Sequence, residues 1–112
     1  MQPQISWQDF EKIDMRVGTI ISAEVFSEVK KPAYKVTIDF GKFGIKKSSA
    51  QITKLYKPED LIGKQIIAVT NFPPKQIANM MSECLVLGVL GNESEISLLS
   101  TDKKVQNGLV IG

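Results

Sequence analysis

The chain has 112 residues, 43% of them apolar and 23% charged, with a formal net charge of +2. That length allows one domain, spanning 1–112, whose core removes roughly 65% of the extended chain's surface from water, and the composition excludes a disordered or fibrous class. The complete absence of histidine and the presence of one cysteine exclude imidazole general bases, histidine-activated nucleophiles, and zinc sites built from imidazole or paired thiolates.

No Gly-x-Ser-x-Gly elbow is present, and Gly63-Lys64 is followed by Gln65 without the upstream glycine of a phosphate-binding loop. The chain is therefore expected to be non-catalytic, with no metal and no cofactor. Met1-Gln2-Pro3-Gln4 lacks the features of a secretory signal. The longest apolar run, residues 84–90, is too short to cross a bilayer. A cytoplasmic setting is expected, with Cys84 as a buried structural thiol.

In chain order, Ser6-Trp7-Gln8-Asp9 has capping-box spacing and predicts a short helix through about residue 13. Trp7, Phe10 and Ile13 would then share one apolar face that docks on the barrel or on a partner chain. Residues 15–26 are rich in valine and isoleucine and predict a long strand. Tyr34-Lys35-Val36-Thr37-Ile38-Asp39-Phe40 alternates with period two, marking a sheet dry on one face and wet on the other. Residues 45–50 form the expected third strand, and residues 52–62, interrupted by Pro58, suit one or two helical turns. Residues 66–72 predict a central strand left by an extended Pro73-Pro74 exit. Residues 84–90 and 96–99 predict two strands joined across Gly91-Asn92. Asn107-Gly108 then turns the chain into Leu109-Val110-Ile111.

Five antiparallel strands with a helical plug before the fourth match the OB-fold plan of a small barrel. The expected class is thus mainly all-β: a five-stranded OB-fold barrel with short helices and N- and C-terminal extensions. A β-sandwich is the rival, but it ordinarily needs about seven strands.

Charge is unevenly distributed. Residues 42–75 carry seven lysines against Glu59 and Asp60, a net +5, which leaves −3 for the remainder. One basic face is implied, either as a solvated surface or as a binding one. Arg16 is the sole arginine and lies outside this window. A face of lysines alone lacks the guanidinium fork that reads bases and grips phosphates in pairs. It suits nucleic-acid backbones or acidic protein segments.

Residues 9–20, with Asp14-Met15-Arg16-Val17-Gly18 at their centre, resemble the first-strand signature of the EMAP-type tRNA-binding domain. Ile38-Asp39-Phe40-Gly41, Gly63-Lys64, Asn71-Phe72-Pro73-Pro74 and Met81-Ser82-Glu83 come next in that family's order and spacing. Within the family, Ser48-Ser49-Ala50-Gln51-Ile52-Thr53-Lys54 and Asn71-Phe72-Pro73-Pro74 are similar to the CsaA branch. The resemblance implies a cytoplasmic homodimer acting as a chaperone in protein export, joined through its terminal extensions, with surface pockets for unfolded preprotein segments. It departs from the tRNA-binding branch after Asn71, where Pro73, Gln76, Ile77 and Ala78 replace basic residues and leave Lys75 alone. About three missing phosphate contacts would lower the salt dependence of RNA binding by about two units of log–log slope.

Three uses of such a barrel are open. The first is a peptide holder for unfolded or export-bound clients, and for any export-machinery partner. It uses the apolar loop around Phe72, Pro74, Lys75, Ile77, Met80 and Met81, whose methionines would repack around varied partners. The same side chains could instead cap the barrel's open end. The second is a structure-specific tRNA binder using Lys46, Lys47, Ser49, Asn71, Lys75 and Ser82, with Tyr34, Phe40, Tyr56 or Phe72 as stacking surfaces or as core. The third is a scaffold whose dimer interface comprises Trp7, Phe10, Ile13, Leu109, Val110 and Ile111.

Overall fold

The strand β1 (Met15–Val25) is the hub of the molecule, because it is long enough to serve two neighbours at different points along its length. Its first half pairs with β4 (Gln65–Val69), in the register Met15↔Val69 to Thr19↔Gln65. Its second half pairs with β2 (Tyr34–Asp39), from Thr19↔Asp39 to Val25↔Tyr34, with a bulge between Ile20 and Ser22. A bulge at that point bends the strand and sharpens its twist, which curls the sheet toward closure. This computed structural model describes all the residues, Met1–Gly112.

The sheet is completed by β3 (Ile45–Ala50), paired to β2, and by β7 (Leu85–Val86), paired to β4, giving the order β3-β2-β1-β4-β7. The two outer strands meet through the segment before β7. Glu83 N–H donates to Lys47 C=O at 2.8 Å, and Ser48 Oγ donates to Cys84 C=O at 2.8 Å. The result is the expected mainly-β, nearly closed five-stranded antiparallel barrel. Its core is the dry side of that alternation: Ile20, Val36, Ile38, Phe40, Ile66 and Ala68 are all essentially inaccessible to solvent.

Between β3 and β4 lies α2 (Pro58–Leu61), started by a proline in its first turn, with Asp60 accepting the Lys57 N–H at 3.0 Å. Leu61 is fully buried and plugs the barrel end. Near the amino terminus, α1 (Trp7–Glu11) forms from the predicted reciprocal cap: Ser6 Oγ accepts from Asp9 N–H, and Asp9 Oδ2 accepts from Ser6 N–H, both at 3.1 Å. It is shorter than expected, ending before Ile13. No helix is long and apolar enough to cross a membrane.

Four expectations fail in the second half. The strand predicted over residues 66–72 stops at Val69, since Thr70 and Asn71 turn to hold the amino-terminal segment. The connection after Pro74 is not an irregular loop but a hairpin, β5 (Lys75–Ile77) with β6 (Met80–Ser82). The run 84–90 breaks at Leu87, whose N–H bonds Ile67 C=O. Beyond Leu87 the chain leaves the barrel as β8 (Gly88–Leu90), which pairs with β9 (Ile96–Leu98). That hairpin turns through Glu93 and Ser94, both at positive φ, rather than through Gly91-Asn92.

The carboxyl-terminal tail fills the edge of β1 that β2 leaves open. Val17 N–H donates to Leu109 C=O (3.0 Å), Gly108 N–H to Val17 C=O (2.7 Å) and Ile111 N–H to Met15 C=O (2.8 Å). Gly108 makes the turn possible: its φ is +93°, and a Cβ there would lie 2.6 Å from Phe40 O. Arg16 secures the same crossing. Its guanidinium donates to Gly108 C=O (2.8 Å) and to Asp14 (3.1 Å), and it stacks 4.0 Å from the Phe43 ring centroid.

Asp14 is the anchor of this corner. Its carboxylate accepts from the Thr70 hydroxyl at 2.6 Å and from Arg16 Nε at 3.1 Å. The Thr70 hydrogen bond lowers the Asp14 pKa, assisted by Arg16, against a smaller opposing effect of burial. A native pKa below the unfolded one means that the ionised group stabilises the fold above the unfolded value. That contribution is lost as pH falls through the folded value. Thermal stability is therefore expected to decline below about pH 4, and Asp14→Asn should show a smaller decline, read as Tm by circular dichroism across an acid series.

Candidate functional site

The β5–β6 hairpin decides which of its side chains can act together. Its register is Lys75↔Ser82, Gln76↔Met81, Ile77↔Met80. Alternation therefore puts Lys75, Ile77, Met80 and Ser82 on one face and Gln76 with Met81 on the other. Ile77 and Met80 lean on Phe26, Ala33 and Val29 in a small second core. Met80 is 8% exposed. It thus belongs to the packing beneath the hairpin and is not a surface anchor, whereas the neighbouring Met81 is half exposed but points away from Lys75.

Beside this face lie two adjoining depressions that share three lining residues. The first, about 250 Å³, is lined by Phe72, Pro73, Lys75, Ser82, Cys84 and Leu85. The second, about 380 Å³, shares Lys75, Ser82 and Leu85 and continues to Ile77, Ser49 and Gln51, with Val29 and Lys31 at its far side. The two form one cleft between the hairpin, the end of β3 and β7. Apolar walls alternate with hydroxyl and amide groups, and two lysines but no carboxylate line it. The Cys84 thiol on its floor is pushed up to about 11, chiefly by burial, so it stays protonated and inert at neutral pH. No set of carboxylates and thiols in the molecule is grouped to hold a metal ion.

The sequence-derived candidates separate accordingly. Phe72, Lys75, Ile77, Ser49 and Ser82 come together in the cleft, while Pro74 lines neither part of it. Lys46 and Lys47, adjacent in β3, fall on opposite faces. Lys47 shares the outer row with Ser49, whereas Lys46 lies on the side of the buried Ser48 and Ala50. The Asn71 side chain is committed to structure, accepting from Asp14 N–H (3.1 Å) and donating to Lys12 C=O (2.7 Å). Tyr34 and Phe40 are buried and cannot stack on a base. Tyr56 is half-buried, and Phe72 is exposed, at 55%. Val29, Lys31, Gln51 and Leu85 were not legible as site residues, because nothing local links positions so far apart in sequence.

Away from the cleft, Trp7 packs on Phe10 with ring centroids 5.3 Å apart yet remains 68% exposed. Together with Ile5 and Gly112 they line an open depression, so the two chain ends lie side by side. Ile13, Leu109 and Val110 are also exposed, and Ile111 is half-buried.

With this geometry in view, comparison with known proteins is decisive: residues 15–109 match the model of the tRNA binding domain family. The chain belongs to that family. Its structure superposes on the chaperone CsaA from Bacillus anthracis str. Ames with a TM-score of 0.94 at 48% identity, covering 98% of this chain and 100% of that one. For the CsaA chaperone protein from Picrophilus torridus the figures are 0.91 and 52%, covering 97% and 100%. In sequence it is 36% identical over 105 residues to the methionine–tRNA ligase of Methanocaldococcus jannaschii, covering 94% of this chain. The chain spans about a sixth of the length of the curated relatives it matches, 16% for that ligase. The family's tRNA-binding name thus attaches here to a barrel that superposes on CsaA proteins over nearly its whole length, with about half of the residues identical.

Proposed function

We propose that this chain is a chaperone-like holder of unfolded, export-bound polypeptide segments, working as one domain in the cytoplasm with no catalytic step of its own. The supporting observation is the cleft: exposed Phe72, with Ile77 and Leu85, supplies apolar surface beside Lys75 and Lys31, with no carboxylate to repel an acidic client. The similarity to CsaA chaperones along the whole chain supports the same reading. Two copies joined through Trp7, Phe10, Ile13 and the Leu109-Val110-Ile111 tail would present two clefts, and one long client engaging both gains avidity without new contacts. Export machinery would then be a downstream partner.

The test is aggregation of a chemically denatured client enzyme, followed by light scattering. Several-fold molar excess of the protein is expected to suppress it, and Phe72→Ala with Leu85→Ser to weaken suppression several-fold while circular dichroism stays unchanged. No suppression by the unaltered protein would overturn the proposal. A parallel light-scattering mass should report a dimer.

A second reading is favoured by the family match and by the outer row of Lys47 and Ser49 running beside the cleft lysines: tRNA laid across this face. Its contacts would be to phosphates, since lysines without arginine give no bidentate base reading. Gel shifts with tRNA decide it. Binding tighter than about micromolar at moderate salt, lost in Lys47→Ala with Lys75→Ala, would place tRNA ahead of peptide.

A further inference from the structure

The barrel is not sealed all the way along β3. The Phe40 N–H to Gly44 C=O bond (2.9 Å) and the register Ile38↔Lys46, Val36↔Ser48, Tyr34↔Ala50 commit the even-numbered residues of β3 to β2. The backbone groups of Lys47 and Ser49 consequently face the opposite edge, and so does the N–H of Gln51, the first residue past the strand. Lys47 is fully used there: its C=O takes the Glu83 N–H at 2.8 Å, and its N–H donates to Glu83 Oε1 at 3.0 Å. Two residues on, the pairing fails. Ser49 N–H reaches only the Ser82 hydroxyl at 3.4 Å, and Ser49 C=O receives only the Ser48 hydroxyl at 3.5 Å, a group whose short bond goes to Cys84 C=O. The N–H and C=O of Gln51 make no hydrogen bond within the protein, and the residue is exposed.

This open stretch of strand edge forms one wall of the cleft, opposite Ile77 and Leu85 and between Lys31 and Lys75. Deepening the peptide-holding proposal above, and resting on it, we infer that the cleft takes an extended client segment by strand addition to β3 at Ser49 and Gln51. The client's main chain pairs with Ser49 C=O and with Gln51 N–H and C=O. Its alternate side chains then divide, one set entering the apolar wall and the other facing outward. Main-chain pairing is indifferent to client sequence, which suits a holder of many substrates. Selectivity comes from charge: with Lys31 and Lys75 present and no carboxylate in the lining, the favoured segments carry an acidic residue among apolar ones. Unpaired edge groups in water are an open template for such addition.

The experiment uses the full-length protein and a short fluorescent peptide alternating valine with threonine and glutamate. Two further versions are N-methylated at alternate amides, one set in each register, so that side chains are kept while hydrogen-bond donors are removed. Fluorescence anisotropy is expected to show about tenfold weaker binding for one N-methylated register and little change for the other, because a strand offers alternate amides to its neighbour. Hydrogen exchange should show the Gln51 amide gaining protection only when the unmethylated peptide is bound. Lys31→Glu with Lys75→Glu should weaken the glutamate peptide about tenfold and favour a lysine version. Equal affinity for all three peptides, or an unchanged Gln51 amide on saturation, would overturn strand addition while leaving peptide holding intact. No binding by any of them would overturn peptide holding itself.

Discussion

Replacing Phe40 by alanine is expected to destabilise the fold by about 3–5 kcal/mol, the cost of an aromatic truncated in a close-packed core. The ring has no solvent exposure and sits in the main core with Ile20, Ile38 and Ile66. Phe40 also carries more than its own packing. Its N–H closes onto Gly44 around the 3₁₀ turn at Gly41–Phe43, and that turn presents the Phe43 ring to Arg16. Arg16 in turn grips Gly108 C=O where the tail crosses β1. A cavity at Phe40 should therefore loosen the tail as well as the barrel. Denaturant unfolding should show a lower midpoint at unchanged slope, with Tm falling by roughly 15 °C or more. A loss under about 1 kcal/mol would mean that the core collapses around the gap, contrary to the packing described.

The barrel half of the molecule was legible because its signals are local. In β2 and β3 the turn residues lie immediately outside runs of the right length, and β2 alternates cleanly; β3 was found at its observed bounds. The amino-terminal cap was legible for the same reason, since its two reciprocal hydrogen bonds join residues only three apart, Ser6 and Asp9. Past Val69 the determinants become tertiary. Thr70 would extend a strand by propensity, but Asp14 claims its N–H and hydroxyl and the strand ends there. Leu87 divides an unbroken apolar run because its backbone is bonded to Ile67 on one side and to Leu99 on the other. The turns at Ala78 and at Glu93 and Ser94 adopt positive φ without glycine, so the residue types that ordinarily mark such turns are missing.

The site was legible as a neighbourhood and not as a set. Apolarity drew attention to the stretch after Asn71, but only the hairpin register separates Met80, which packs inward, from Met81, which does not. Lys46 and Lys47 looked like a pair by adjacency, yet adjacent residues in a strand face opposite ways. The other wall of the cleft comes from Val29, Lys31, Ser49 and Gln51, which reach the hairpin only through the curl of the sheet. Asn71, read as an RNA contact from its place in a family motif, is held by Asp14 and Lys12. Its position in that motif has a sufficient structural cause.

Gly18 tests the same distinction between motif and mechanism. Its φ lies outside the left-handed region, so backbone freedom does not require glycine; space does. A Cβ there would lie 2.5 Å from Ile38 Cγ2 and 2.8 and 2.9 Å from two atoms of the Phe40 ring. Neither neighbour yields easily. Ile38 is β-branched and stiff at χ1, and both side chains are fully buried in close-packed surroundings. Gly18→Ala is therefore expected to cost about 1–3 kcal/mol through overpacking, although alanine is otherwise the more favourable residue in a strand. Shortening the opposing ring should recover part of that cost. In a Phe40→Leu background the added methyl enters space the ring has vacated, and the two changes should couple favourably by about 1 kcal/mol in a double-mutant cycle. Additive effects, or a neutral Gly18→Ala, would mean that the strands part to admit the methyl. Favourable coupling would assign this glycine of the family signature to the closeness of β1 over β2, and so to the barrel that holds the cleft in place.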